Sequence, residues 1–300
     1  MIDKECRPAW GVIGKSVQGA SHKRAVLPNQ DAIHWWLESS TGPPAILTVS
    51  DGHGSAKHFR SDKGSQIATE VVTKVVLEQL LDGQQDASSL STIKRLSDEQ
   101  LPKALVRAWQ NEVDSDVESN PLSFSELDDL EEKAGAAARK AVETAPGLAY
   151  GATLLTVLVT ESFVLYLQLG DGDILTVAET GEVERPLPSD ERLFANETTS
   201  LCSPHAWRDF RSHFQVISGT PPALILVSTD GYANSFRQEA DFMKVGTDYL
   251  ELMRADGLDE VEHRLERWLA EASEAGSGDD ITLGILCRMD AIEHDPGAQA

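Results

Sequence analysis

Three things are scarce in this chain. Cysteine is one: Cys6, Cys202 and Cys287 are the whole complement in 300 residues, widely spaced and with no Cys-x-x-Cys pair. That excludes a disulfide framework and a zinc knuckle, and it fits buried or incidental thiols in a reducing compartment. Positive charge is another. Lys and Arg number 26 against 49 Asp and Glu, a formal net charge of −23. A chain this acidic repels both the phosphate backbone of nucleic acid and an anionic membrane surface, so neither is expected as a partner. Long apolar runs are the third. No uninterrupted stretch approaches the ~20 residues of a membrane span, and the charged start Met1-Ile2-Asp3-Lys4-Glu5 has no apolar signal core. A soluble cytoplasmic protein is the expectation. With 41% apolar residues the composition supports a sizeable core, and one large domain can fill the whole of 1–300.

What is present comes in blocks. The first 60 residues read as strands and turns, with the apolar run Ala45-Ile46-Leu47-Thr48-Val49 stopping at Ser50-Asp51-Gly52-His53-Gly54, as a buried strand ends in a loop. A helix follows, with Ile67, Val71, Val75 and Leu80 at helical spacing, widened by Val72 and Val76, until Asp82-Gly83 stops it. Residues 84–97 are polar and read as a loop. Leu101, Leu105, Ala108, Trp109 and Val113 mark a second amphipathic helix, and the Ala-rich residues 133–143 a third. From Glu112 to Glu132 inclusive there are nine acidic residues and no basic one. That stretch reads either as a solvated acidic face and loop or as a docking surface for a basic partner. The whole of about 84–148 is thus an acidic helical and loop segment.

Strand texture returns at Tyr150. Residues 153–159 and 163–167 flank a short turn at Glu161-Ser162, as in a hairpin, and residues 174–178 and 223–227 are further strands. Helices follow near 239–254 and 258–274. The second has Leu258, Val261, Leu265, Trp268 and Ala272 on one face and Gly276 at its end. Residues 281–287 close the chain as an apolar strand. Strands in two blocks, with helices between and after them, argue for packed sheets covered by helices, an α+β fold.

The chemistry sits where strands end. Of five Asp-Gly pairs, three follow apolar runs: Asp51-Gly52 after AILTVS, Asp171-Gly172 after VLYLQLG, and Asp230-Gly231 after ALILVST. Each places a carboxylate just past a strand, beside a glycine that lets backbone approach a ligand. Asp279-Asp280 immediately precedes the last strand, and Asp31 lies in Pro28-Asn29-Gln30-Asp31-Ala32. Any one Asp-Gly is also a common hairpin turn, and Asp82-Gly83 and Asp256-Gly257 are read as turns. Carboxylates gathered in one place repel each other unless cations sit between them, and oxygen-only ligands select Mg²⁺ or Mn²⁺ over zinc.

The ordered set Asn29-Gln30-Asp31, Asp51-Gly52-His53-Gly54, Gly170-Asp171, Asp230-Gly231 and Gly278-Asp279-Asp280-Ile281-Thr282 resembles the protein phosphatase 2C (PPM) family, over about residues 10–290. Residues 19–31 and Ala195-Asn196-Glu197-Thr198-Thr199 are more similar to a bacterial branch than to the animal enzymes. The resemblance implies a four-layer α/β/β/α sandwich, a single phosphatase domain with two central antiparallel sheets flanked by helices. It also implies a centre of two Mg²⁺ or Mn²⁺ ions in a cleft at one end. Asp51 would bridge both ions and the Gly52 carbonyl would bind one. Asp230 and Asp279 would complete one shell, Asp31 would contribute to the other, and Asp171 matches the position of a weaker third metal. Asp280 stands where relatives often carry Asn and would support the site without binding metal.

The implied activity is hydrolysis of phosphoserine and phosphothreonine in proteins, opposing a cognate Ser/Thr kinase. A water held between two cations becomes acidic enough to attack phosphorus, and the cations supply the positive charge that a −23 chain needs to receive an anionic substrate. His53 is the candidate acid for the leaving oxygen. The family's phosphate-binding Arg stands a few residues before the first metal aspartate. Here Lys23 and Arg24 stand eight and seven before Asp31, and Arg24 is the choice because a guanidinium binds phosphate bidentately. Gln30 replaces an acid that often precedes the metal aspartate. Two other readings stay open: a catalytically inactive relative serving as a binding or scaffold module, and a metal-dependent hydrolase of another phosphoester.

Overall fold

The computed structural model describes residues 9–39, 42–81, 89–187 and 199–293. Cys6, Asp82-Gly83, residues 84–88 and residues 195–198 of the sequence reading lie outside them. Among the described residues, ten strands form two sheets with every neighbouring pair antiparallel. One sheet has β2 (Ala32–Ser39), β3 (Gly42–Ser50), β4 (Leu154–Val159), β5 (Phe163–Leu169) and β8 (Arg211–Val216), in that order. The other runs β1 (Trp10–Val17), β10 (Ile281–Arg288), β9 (Leu224–Ser228), β6 (Asp173–Val177) and β7 (Val183–Glu184).

Alternation along the strands explains why the sheets stack. Successive side chains point to opposite faces, and the central strands are apolar on both. In β4, Leu155, Val157 and Val159 face the other sheet, while Leu154 and Leu158 face helices. In β9, Ile225 and Val227 point between the sheets, and Leu224 and Leu226 point to the opposite helical layer. A strand buried on both faces reads as an unbroken apolar run, which is how these strands appear in the sequence. The result is the expected helix–sheet–sheet–helix sandwich.

One outer layer is built from α2 (Ser61–Val76), α3 (Leu90–Glu99), α4 (Leu101–Ser119), α5 (Phe124–Ala134) and α6 (Ala136–Thr144). α2 lies on β2 and β3 through Ala68, Val72, Val75 and Val76, and its register slips to π geometry over Leu77–Leu81. The other layer is α8 (Glu239–Asp256) and α9 (Leu258–Ala275), with Val261, Leu265 and Leu269 buried. Two expectations need correction. The polar stretch read as a loop over 84–97 becomes α3 from Leu90 onward, because Leu90, Ile93 and Leu96 form a narrow stripe that packs into the core. The single helix read over 133–143 is instead split, because Gly135 takes φ +83° and separates α5 from α6. Ser123 and Glu126 open α5 with a reciprocal capping box. The described acidic residues of 112–132 therefore belong to two helices rather than a loop.

Candidate active site

The ends of β3, β5 and β9 and the start of β10 meet at one edge of the sandwich. Asp51 follows β3 directly, and its backbone is fixed on both sides: Thr153 N–H donates to Asp51 O at 2.8 Å, and Asp51 N–H donates to Thr153 Oγ1 at 2.9 Å. Gly52 N–H donates to Gln30 O at 3.1 Å. A Cβ at Gly52 would sit 2.5 Å from Gln30 O and 2.6 Å from Ser61 O, so only glycine fits there. Asp171 lies in the β5–β6 turn after Gly170 at φ +111°, a conformation that favours glycine, and Gln168 Nε2–H braces that turn through the carbonyls of Gly170 and Gly172. Asp230 opens the short helix α7 (Asp230–Ala233) just past β9.

Carboxylate oxygens of Asp51, Asp171 and Asp230 all lie within 4.8 Å of one another. They share a cleft of about 390 Å³ with Asp279, Asp280, His22, His53 and Gln30. Asp31 is buried at 6% exposure beside the cluster, and its Oδ2 accepts Thr229 Oγ1–H at 2.7 Å. Thr229 Oγ1 also accepts Thr282 N–H at 2.9 Å. Sequence reading passed over Thr229, whose only signal was a hydroxyl directly before Asp230. Lys23 and Arg24 are exposed on α1 (Ala20–Ala25), with the Arg24 guanidinium near Gly278 at the rim.

These carboxylates are strained by one another's presence. Burial pushes Asp51 well above the ordinary carboxylate range, and the charges of Asp31, Asp230, Asp171 and Asp279 push it further. Burial likewise raises Asp31 against the hydrogen bond from Thr229, and it raises Asp279. Burial with Asp171 and Asp279 nearby brings Asp230 up to about 6. Such a cluster stays ionised at neutral pH only with compensating positive charge. Gln30 Oε1 is buried and has no hydrogen-bond partner among the described residues, an oxygen left over at the cleft wall. Oxygen-only donors, mutual repulsion and a bare glycine backbone together fit a hard divalent cation.

His53 follows on the same loop, its N–H donating to Gly151 O at 3.0 Å. Its ring lies 5.1 Å from that of His58, whose Nδ1 is 2.5 Å from Leu148 O. Burial, then the charges of His58 and Lys57, lowers the His53 imidazole to about 4, so it is neutral at pH 7. Just behind the loop, Arg60 makes a fork to Glu126 at 2.8 and 3.0 Å. It also donates to Tyr150 Oη and to the carbonyls of Asn120 and Pro121. The helical layer is thereby tied to the loop that carries His53.

A two-sheet sandwich with an acidic cleft at its edge, suited to hard cations, defines a metal-dependent hydrolase. The family model of protein phosphatase 2C matches residues 18–270, and the chain belongs to that family. Solved structures agree on the fold. The serine/threonine phosphatase PstP/Ppp of Mycobacterium tuberculosis is 16% identical over 95% of this chain and 100% of its own, with a TM-score of 0.54. The catalytic domain of PstP, solved with two manganese ions, matches over 93% and 98% at 16% identity and a TM-score of 0.53. PppA of Pseudomonas aeruginosa, a regulatory component of a type VI secretion system, is 17% identical over 93% and 97%, with a TM-score of 0.54. No curated protein sequence matches the chain. No helix among the described residues is long and apolar enough to cross a membrane.

Proposed function

We propose that this chain is an active metal-dependent protein serine/threonine phosphatase, working in the cytoplasm against a cognate Ser/Thr kinase. Membership of the protein phosphatase 2C family supports the reaction class. The observation that carries activity, over an inactive scaffold, is the intact cluster of Asp51, Asp171 and Asp230 within 4.8 Å, with Asp279 in the same cleft. Asp51 and the Gly52 carbonyl would hold metal with Asp230 and Asp279, Asp31 would complete a second position, and Asp171 a weaker third. Two Mg²⁺ or Mn²⁺ ions, when bound, supply a water acidic enough to attack phosphorus and positive charge for the phosphoryl oxygens.

The protein's own groups do the rest. Thr229 keeps Asp31 oriented, and Thr153 keeps Asp51 at the strand end. A serine or threonine alkoxide leaves poorly and needs a proton. His53 is neutral before substrate arrives; the phosphoryl anion alongside it would favour the imidazolium, so the ring takes up a proton from solvent in the substrate complex and hands it to the leaving oxygen. The test is phosphate release from a phosphothreonine peptide with Mn²⁺ present, compared with a small phosphoester. Release should stop on chelation and in Asp51→Ala protein shown to be folded. Full activity of folded Asp51→Ala would refute the assignment, and preference for the small ester would move the substrate class.

A further inference from the structure

The phosphoryl contact is the role that the sequence left least secure. Among the described residues, the cleft walls carry no Lys or Arg, and the side-chain nitrogens reaching the cleft are those of His22, His53 and Gln30. Gln30 Nε2 is engaged with Ser61 Oγ at 2.8 Å. His53 serves the leaving group. We propose that His22 is the residue that contacts the phosphoryl group of the substrate, held for that purpose by the buried carboxylate of Asp280. The proposal rests on the phosphatase reading above.

His22 belongs to α1, and α1 is stitched to the segment before β10. Gly19 N–H donates to Asp280 Oδ1 at 2.6 Å, Ala20 N–H to Ser273 Oγ at 3.0 Å, and Ser21 N–H to Gly278 O at 2.8 Å. Ser273 Oγ–H in turn donates to Asp279 O at 2.8 Å. A Cβ at Gly19 would fall 2.3 Å from the Asp279 carbonyl carbon, so the helix begins there only because that backbone is bare. This places the His22 ring between two consecutive aspartates. Its Nδ1 is 2.8 Å from Asp280 Oδ2, and its Nε2 is 3.8 Å from Asp279 Oδ1.

Asp280 is at most 3% exposed and takes donors from Gly19 N–H, Gln30 N–H at 2.6 Å and His22. A carboxylate so deeply buried is tolerable only when its oxygens are filled. It uses two backbone donors and one imidazole nitrogen. With Nδ1 committed, the ring is locked and only Nε2 is left to meet a ligand in the cleft. A phosphoryl oxygen reaching that nitrogen can accept its N–H, an anion meeting a donor already aimed by Asp280. Arg24, exposed at the rim, is not needed for it.

The test is calorimetric binding of orthophosphate to the Mn²⁺-loaded protein, with Mn²⁺ affinity measured separately and kcat and KM taken on a phosphothreonine peptide. His22→Ala should weaken orthophosphate about 10- to 100-fold, the range of one hydrogen bond to a charged group, and raise KM. Mn²⁺ affinity should stay within about 2-fold of wild type, and Arg24→Ala should move phosphate affinity less than about 3-fold, below a single such bond. Unchanged phosphate affinity in His22→Ala overturns the proposal. So does a loss that follows Arg24→Ala instead, or a fall in Mn²⁺ affinity that makes His22 a servant of the carboxylates. Should His22→Ala fail to fold, His22→Asn keeps a donor near Asp280 on a shorter side chain and is read the same way. Orthophosphate binding reports the contact even if wild type releases nothing from the peptide, so this proposal and the functional reading fail separately.

Discussion

Gly64→Ala sets two effects of opposite sign against each other. Gly64 is the fourth residue of α2, and alanine in a helix interior is ordinarily better than glycine by ~1 kcal/mol. Here the new Cβ would lie 1.9 Å from Tyr150 O and 2.7 Å from Tyr150 C. Both are backbone atoms, so no side-chain rotation relieves the clash, and α2 and the 3₁₀ turn Pro146–Tyr150 must part by roughly 1 Å or more to reach ordinary van der Waals contact. Neither side is free to move. Trp109 Nε1–H donates to Gly64 O at 3.0 Å, Arg60 N–H donates to Ala149 O at 2.8 Å, and Tyr150 Oη donates to Asp116 at 2.5 Å. Overpacking ranges over ~1–3 kcal/mol, and this site belongs at the upper end, leaving a net destabilisation of about 2 kcal/mol. In a chain of this length that lowers Tm by about 4 °C, near ~2 °C per kcal/mol. The displacement also reaches the cleft, because Gly151 and Ala152 hold His53 and Gly52, so kcat should fall with Tm. Calorimetry and phosphopeptide turnover read the two together. An alanine variant as stable as wild type, or more so, would show that helix propensity outweighs the clash and refute the reasoning.

Other expectations concern charge. His53→Asn should cut kcat on phosphothreonine peptide by about 100-fold, the lower end of general acid–base effects, and far less on an aryl phosphate whose leaving group needs no proton; equal losses on both would remove His53 from proton transfer. Asp230 and Asp51 have folded pKa values raised above their unfolded ones, so the metal-free fold is favoured below pH 4 and loses stability as pH rises through about 6. Mn²⁺ binds the ionised carboxylates, so the Tm gain on adding it should be larger at pH 7.5 than at pH 5, and an equal gain would mean that the ion binds elsewhere. Arg60→Met should destabilise by about 3 kcal/mol, the low end for a broken buried pair, because Tyr150 Oη, two carbonyls and Glu126 lose their donor while Glu126 keeps partial solvent access. The Arg60 fork holds Glu126 down to about 2, so this contribution is present above the unfolded carboxylate range and fades as pH falls toward 2; a wild-type-to-variant gap in urea midpoints that does not narrow between pH 5 and pH 3 would contradict it.

Much of this was readable before any coordinates, and the reason is burial. Strands with both faces covered announce themselves as apolar runs, and the same runs end at Asp51, Asp171 and Asp230, so strands and carboxylates were found together. Edge strand β8 reads RSHFQV and gave no such signal, since Phe214 is its one large apolar residue packed into the core, against Phe163. α3 was masked in the same way by serines and charges around three apolar positions. The pairing of His22 with Asp280 was illegible for another reason: 258 residues separate them. Nothing local marks either as the other's partner, and only the fold makes them neighbours. Thr229 belongs to the same class, since its value lies in where Asp31 arrives from the far end of the chain.

The sign of the site's electrostatics follows from these distances. A phosphorylated protein approaching a chain of net charge −23 meets repulsion, and an empty cluster of aspartates would make its destination worse. Within about 4 Å, each added like charge in a partly buried site is worth several kcal/mol of repulsion, far more than one phosphoryl hydrogen bond returns. Substrate affinity in this protein should therefore depend on the cations before it depends on any side chain, with His22 refining what the metal permits. The order can be checked by measuring orthophosphate binding in chelated wild type and in Mn²⁺-loaded His22→Ala. Chelation should abolish binding, while the substitution only weakens it, and the reverse ranking would mean that the protein's own donors, and not the acidic cluster's guests, attract the phosphate.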